Sequence, residues 1–209
     1  MTGRSAFPVA LVFLLLFLWG PAAIAQTAAP ERRFFLRLSL GPAYLAESWT
    51  PSGPAAGADI GGWGTALDVS IGRMIRPRLI VGGRWQAVAF VEPNESYQGT
   101  TYVLDGSALF LNTLAAFIDW APNQRRGLHA GGSLGLVARS NLDANFGTLA
   151  TGWGVTAAGQ AGYDRRLSAH WSIGVVAALA LYRCWTSDAG VASASDGLLP
   201  SLSLAFTFR

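Results

Sequence analysis

Residues 153–181 read WGVTAAGQAGYDRRLSAHWSIGVVAALAL. Up to Tyr163 the larger side chains fall on every second position. Trp153, Val155, Ala157, Ala161 and Tyr163 share one side, and Gly154, Thr156, Ala158, Gln160 and Gly162 share the other. After a short break at 165–168 the same period resumes, with Trp171, Ile173, Val175, Ala177, Leu179 and Leu181 on one side. Period two marks a strand with two unlike faces, because successive side chains leave opposite sides of the pleat.

The alternation recurs along the rest of the chain. Trp63, Thr65, Leu67, Val69 and Ile71 oppose Gly64, Ala66, Asp68, Ser70 and Gly72. Leu79, Val81, Trp85, Ala87 and Ala89 oppose Gly82, Arg84 and Gln86, and Leu128, Ala130, Leu134, Leu136 and Ala138 oppose His129, Gly131, Ser133, Gly135 and Arg139. Phe34, Leu36, Leu38 and Leu40 alternate with Phe35, Arg37 and Ser39, only Phe35 spoiling the polar face. The stretch 103–120 is apolar on both faces, which leaves its register open. With the last segment before Arg209 there are eight such stretches. The gaps between them run long at 42–60, 91–102, 140–151 and 183–197, and short at 74–77, 121–126 and 165–168. In an exported chain this rhythm predicts an all-β fold, an eight-stranded antiparallel up-and-down transmembrane β-barrel with short periplasmic turns and longer outer loops.

The faces differ in size as well as polarity. One carries the bulk and the other is mostly Gly, Ala, Ser and Thr, which suits the narrow interior of eight strands. Trp63, Trp120, Trp153, Tyr163 and Trp171 collect at strand ends, where amphipathic rings form interfacial girdles. Hydrophobic residues make up 51% of the sequence and charged ones only 13%, against about 25% charged in soluble domains. Yet no stretch after the N-terminal segment approaches 18 uninterrupted apolar residues, so a helical bundle is disfavoured. A barrel reconciles the two facts, since each strand shows lipid only every second residue.

The N-terminus reads as an export address. Arg4 supplies a positive region, Val9 to Trp19 an apolar run, Gly20-Pro21 a break and Ala23-Ile24-Ala25 a cleavage site before Gln26. The expected organisation is a cleaved signal peptide at 1–25 and a barrel domain at 26–209. No cysteine follows the cleavage site, so no lipid anchor is implied there, and the single Cys184 allows no intramolecular disulfide. All fifteen basic residues are arginine, and no basic patch interleaved with exposed aromatics is present, so nucleic acid is not an expected partner.

The chain ends Leu202-Ser203-Leu204-Ala205-Phe206-Thr207-Phe208-Arg209. With its alternating apolar residues and late aromatic, this end is similar to the C-terminal assembly signal of outer-membrane barrels, carried here by Leu204, Phe206 and Phe208. Phe208 is penultimate, a departure from a terminal aromatic. Over 33–209 the chain resembles the small outer-membrane β-barrel superfamily, the OmpA/OmpX-like eight-stranded barrels of Gram-negative bacteria. That resemblance implies residence in the cell outer membrane, contact with its lipids and with the assembly machinery, and a monomer. No peptidoglycan-binding domain follows the barrel, so a wall anchor is not implied.

Little in the chain points to catalysis. His170-Trp171-Ser172 resembles the His and Ser pair of the lipid A deacylases of this fold, but a hydroxyl nucleophile needs a base and an orienting acid beside it. His170 follows the turn at 165–169, which places it at the periplasmic rim, and His129 reads as a rim residue too. Two histidines on separate strands without a clustered carboxylate make a poor metal site. No catalytic, cofactor-binding or metal residue is expected. The charges of the inner face are more informative. Arg37, Asp68 and Arg84 lie on three consecutive strands, and they are expected to form an ion-pair network across the lumen, because a buried charge without a partner is costly.

The function expected is a structural or surface-interaction role, with a lipid-modifying enzyme or a narrow passive channel as alternatives. The ends assigned to the periplasm hold Arg32, Arg33, Arg73, Arg76, Arg78, Arg125, Arg126, Arg165, Arg166 and Arg209. The long gaps hold Glu47, Asp59, Glu92, Glu95, Asp143, Asp188 and Asp196 against Arg183 alone. An outer partner is therefore expected to be basic, or held through divalent cations that accept carboxylate oxygens.

Overall fold

The computed structural model describes residues 34–51, 57–76, 78–122, 127–142, 148–188 and 191–209. The expected leader at 1–25 lies outside them, as do Arg32, Arg33, Arg125, Arg126 and Asp143. Ten strands form: β1 (Phe34–Pro51), β2 (Ala58–Arg76), β3 (Leu79–Val91), β4 (Asn94–Tyr97), β5 (Thr100–Val103), β6 (Ala108–Trp120), β7 (Leu128–Leu142), β8 (Thr148–Arg166), β9 (Trp171–Asp188) and β10 (Val191–Phe208). Every pairing is antiparallel, and β1 pairs with both β2 and β10. That double pairing closes a barrel of eight strands, β1–β3 and β6–β10. Closure satisfies the backbone of every wall strand without an edge, the condition for crossing a bilayer with strands.

β4 and β5 stand apart from the barrel wall. They form a hairpin whose first strand lies against the end of β2, Asn94 to Ser96 opposite Gly61 to Asp59. Its two-residue turn, Gln98-Gly99, has φ of 50° and 80°. Positive φ at both central positions gives the turn the twist that matches the flanking strands. We call this end of the barrel the far end, and the one where β1 begins and β10 finishes the terminus end.

The outward face is apolar and uncovered. Trp63 is 72% exposed and Leu134 70%, with Leu40, Leu181 and Leu204 also open, a surface too large and continuous for water. Aromatic rings bound it. Phe34, Trp120, Tyr163 and Trp171 lie at the terminus end, and Tyr44, Trp63, Trp153 and Trp185 towards the far end. Phe34 and Tyr44 are ten positions apart on β1, as are Trp153 and Tyr163 on β8. At about 3.3 Å per residue and a tilt of about 40°, ten positions span about 25 Å, the height of the apolar band of such barrels.

Two expectations need correcting. First, the stretches 42–60, 140–151 and 183–197 are mostly strand. The β1–β2 ladder continues to Trp49 opposite Ala58, and β9–β10 to Asp188 opposite Val191. Beyond the lipid the outward face needs no large apolar side chains, so the alternation fades while the hydrogen-bonded ladder persists. Second, 103–120 is not one strand. Val103 closes β5, and β6 starts at Ala108. Within β6, Leu109, Leu111, Ala115, Phe117 and Asp119 point inward, while Leu114, Ile118 and Trp120 point out. Its inner face is apolar because this strand contributes to a packed lumen.

Candidate functional site: the charged layers of the lumen

Three polar layers and an apolar layer fill the inner face. At the terminus end, Arg37 of β1 reaches across to Asp119 of β6 (Nη2 to Oδ2, 2.9 Å) and lies 3.8 Å from Asp164 of β8. His129 of β7 sits between the carboxylates, with Nδ1 3.2 Å from Asp119 Oδ1 and Nε2 3.7 Å from Asp164 Oδ1. Arg209, just past β10, turns back to donate to Asp164 at 2.7 Å. Arg37 Nε also donates to Thr207 Oγ1 at 3.3 Å, and both guanidinium groups stand over the Phe35 ring, at 5.1 Å and 5.9 Å. Two arginines and two aspartates balance in charge around His129, which is how such a dense group of buried charges becomes tolerable. Gly162, across the ladder from His129, makes room for it: a Cβ there would collide with the imidazole Nε2.

The middle layer is a pair on neighbouring strands. Arg84 of β3 donates through Nε to Asp68 of β2, which also accepts from Ser70 Oγ at 2.9 Å; Arg84 Nη1 lies 3.5 Å from Ser133 Oγ. Beyond it towards the far end lies a buried apolar cluster that includes Leu45, Phe90, Leu109, Leu111, Val137 and Leu199. Glu47 forms the last layer. Arg139 binds it through Nη2 at 2.9 Å and Nε at 3.2 Å, and the Tyr182 hydroxyl donates to Glu47 Oε2. Gly197, paired with Tyr182 across the ladder, leaves the space that its ring occupies.

These positions revise several sequence expectations. Asp68 and Arg84 are in contact, but Arg37 does not join them; it belongs to the separate layer with Asp119, His129 and Asp164. Adjacent strands suggested the grouping, whereas the long Arg37 side chain crosses the lumen to strands on the opposite wall. Glu47 is not an exposed loop acid, since it is buried at 2% exposure, and Cys184 is a fully buried member of the apolar cluster. Arg209 does not simply join the other arginines of the terminus end but turns inward and caps Asp164. His129 does have clustered carboxylates, although its two ring nitrogens face different ones. His170 is exposed beside the Phe208 ring at 5.8 Å, as a rim residue would be, and Ser172 is buried against β10. Leu204 and Phe206 project outward on β10, and Phe208 packs on Trp171 (5.2 Å) and Phe34 (6.3 Å). Asp119, Asp164, His129, Glu47, Arg139 and Tyr182 were not assembled from sequence. The available signal was that all of them fall on inward positions of their strands.

Among the described residues no group of three or more His, Cys, Asp or Glu side chains is arranged to hold a metal ion. No family model matches the sequence, and no curated protein matches it. Solved structures do share its architecture. One is the outer membrane protein OprG from Pseudomonas aeruginosa, 13% identical, with a TM-score of 0.51 over 85% of this chain and 97% of that one. Another is Neisserial surface protein A, NspA, 10% identical, with a TM-score of 0.50 over 84% of this chain and 96% of that one. At such identities the likeness is one of fold. By fold the chain is an outer-membrane β-barrel of the small eight-stranded class.

Proposed function

We propose that this barrel is a non-conducting, non-enzymatic surface protein whose far end, projecting beyond the outer leaflet, makes its contacts. The observation that carries the reading is the filled lumen. The apolar layer, from Leu45 to Leu199, lies between the Glu47–Arg139–Tyr182 layer and the Arg84–Asp68 pair. An ion entering from either end meets paired charges and then apolar side chains that offer no replacement for its hydration shell. His170 is exposed, with Nδ1 3.2 Å from the Arg209 carbonyl oxygen, an arrangement that activates no hydroxyl, which supports a role without catalysis. The projecting ladders and the β4–β5 hairpin, by contrast, present surface that a barrel needing only a wall would not require. The chain acts as a monomer among outer-membrane lipids, and Leu204, Phe206 and Phe208 serve the assembly machinery. Reconstituted in planar bilayers, the purified protein gives no steady ohmic conductance, while whole cells displaying it bind a surface or partner that cells lacking it do not. Stable large conductance would promote the channel reading instead.

A further inference from the structure

The hairpin leaves one strand edge open. β5 pairs with β4 and ends the strand order, so among the described residues no strand pairs with its other side. Which groups face that side follows from the ladder. Leu104 N–H donates to Pro93 O at 3.0 Å, which makes this a hydrogen-bonded pair. Hydrogen-bonded and non-hydrogen-bonded pairs alternate along an antiparallel ladder. Tyr102 opposite Glu95 and Thr100 opposite Tyr97 are therefore bonded, whereas Val103 opposite Asn94 and Thr101 opposite Ser96 turn their N–H and C=O away from β4.

Natural edges are blunted by lysine, proline, bulges or a covering element. The edge Thr100-Thr101-Tyr102-Val103 has none of these; all four residues are exposed, and two are β-branched threonines. It is also held in shape. Glu92 N–H donates to Ser107 O at 2.9 Å, Ser107 Oγ donates to Leu104 O at 2.7 Å, and Ser96 and Thr101 hydroxyls meet at 2.9 Å. Its electrostatics have one sign. Between Arg84 and Arg125 the chain has no basic residue, while Glu92, Glu95 and Asp105 surround the hairpin and Asp59 lies opposite Ser96 on β2. None of these four acids has an ion-pair partner among the described residues.

We infer that the β5 edge is a docking site for an extended, arginine- or lysine-bearing peptide segment of a partner protein, which adds to the hairpin as a third strand. Main-chain hydrogen bonds to Thr101 and Val103 hold the segment, the exposed Tyr102 and Tyr97 give its side chains apolar ground, and the surrounding carboxylates select positive charge. The inference rests on the surface-interaction reading and names the place and chemistry of one contact.

The test uses the full-length barrel in phosphatidylcholine nanodiscs. The probe is a fluorescent ten-residue peptide alternating arginine and valine, with two controls: the same peptide N-methylated at every residue, so that neither edge can donate, and a glutamate-for-arginine version. Wild type should bind the first at least tenfold more tightly than either control, with affinity falling as salt rises. Val103→Pro removes an outward N–H and should cut affinity at least tenfold without disturbing the barrel. Glu92→Gln with Glu95→Gln and Asp105→Asn should weaken binding severalfold and flatten the salt dependence. Equal binding of the N-methylated peptide would overturn strand addition in favour of plain charge adsorption. Concentration-dependent pairing of barrels through the hairpin, without peptide binding, would overturn the occupant in favour of a second copy. Absence of any peptide binding also sinks the inference. If cells displaying the protein still bind their surface, the broader reading stands; if that binding is missing too, both fall.

Discussion

Glu47 and Asp196 are alike in sequence, two acids in stretches with little alternation, yet they have opposite surroundings. Glu47 is buried and held by Arg139 and Tyr182, whereas Asp196 faces Arg183 at 3.7 Å with both side chains more than half exposed. Arg139→Leu should therefore cost on the order of 3–5 kcal/mol, because it strands a buried carboxylate. Asp196→Ala should change stability by less than about 1 kcal/mol, as solvent screens an exposed pair. Urea titration of the protein folded in lipid vesicles separates the two, and equal effects would refute this account of the far-end layer. Gly162 offers a second test. A methyl group there meets the His129 imidazole, so Gly162→Ala should destabilise by about 1–3 kcal/mol through overpacking. Gly159, three positions earlier, has nothing within 4 Å of a Cβ, and Gly159→Ala should leave the unfolding midpoint nearly unchanged.

At the scale of elements, the β4–β5 hairpin is set apart from the wall by its energetics as well as its place. The wall strands are bonded on both sides, while among the described residues the hairpin pairs with the wall along β2 only. Its turn needs positive φ at Gly99, and a β-branched residue is strained there. Gly99→Val should loosen the hairpin by about 1–2 kcal/mol and leave the barrel intact. Amide exchange would show this as faster exchange at Leu104 and Glu92, whose N–H groups close the hairpin base, with the β8–β9 amides unchanged. Faster exchange throughout would mean that the hairpin braces the wall. The long β1, β2, β9 and β10 follow from the same logic: a ladder joined at both edges continues past the lipid as long as its backbone partners do.

For the whole molecule the first question is orientation. Even strand number puts the start of β1 and the finish of β10 on one side, and the short turns share that side. An epitope inserted between Gln98 and Gly99 should be labelled on intact cells, and one inserted at 168–169 should not; the reverse would invert the assignment of the far end to the exterior. The wall, its strand order and its girdles were legible in the sequence because alternation is a local property, imposed on each strand separately by lipid on one side and a narrow lumen on the other. The overshoot of the ladders was not legible, since nothing apolar marks a strand once it has left the lipid. The pairing of Asp68 with Arg84 was within reach, for it needs only the register of two strands joined by a short turn. Arg37 with Asp119 and His129, and Glu47 with Arg139, were not: His129 lies 92 positions from Arg37, as does Arg139 from Glu47. Periodicity says which way each of these side chains points but not what it meets across the lumen. That depends on how far the strands are staggered when the sheet closes, and closure is a property of all eight strands together.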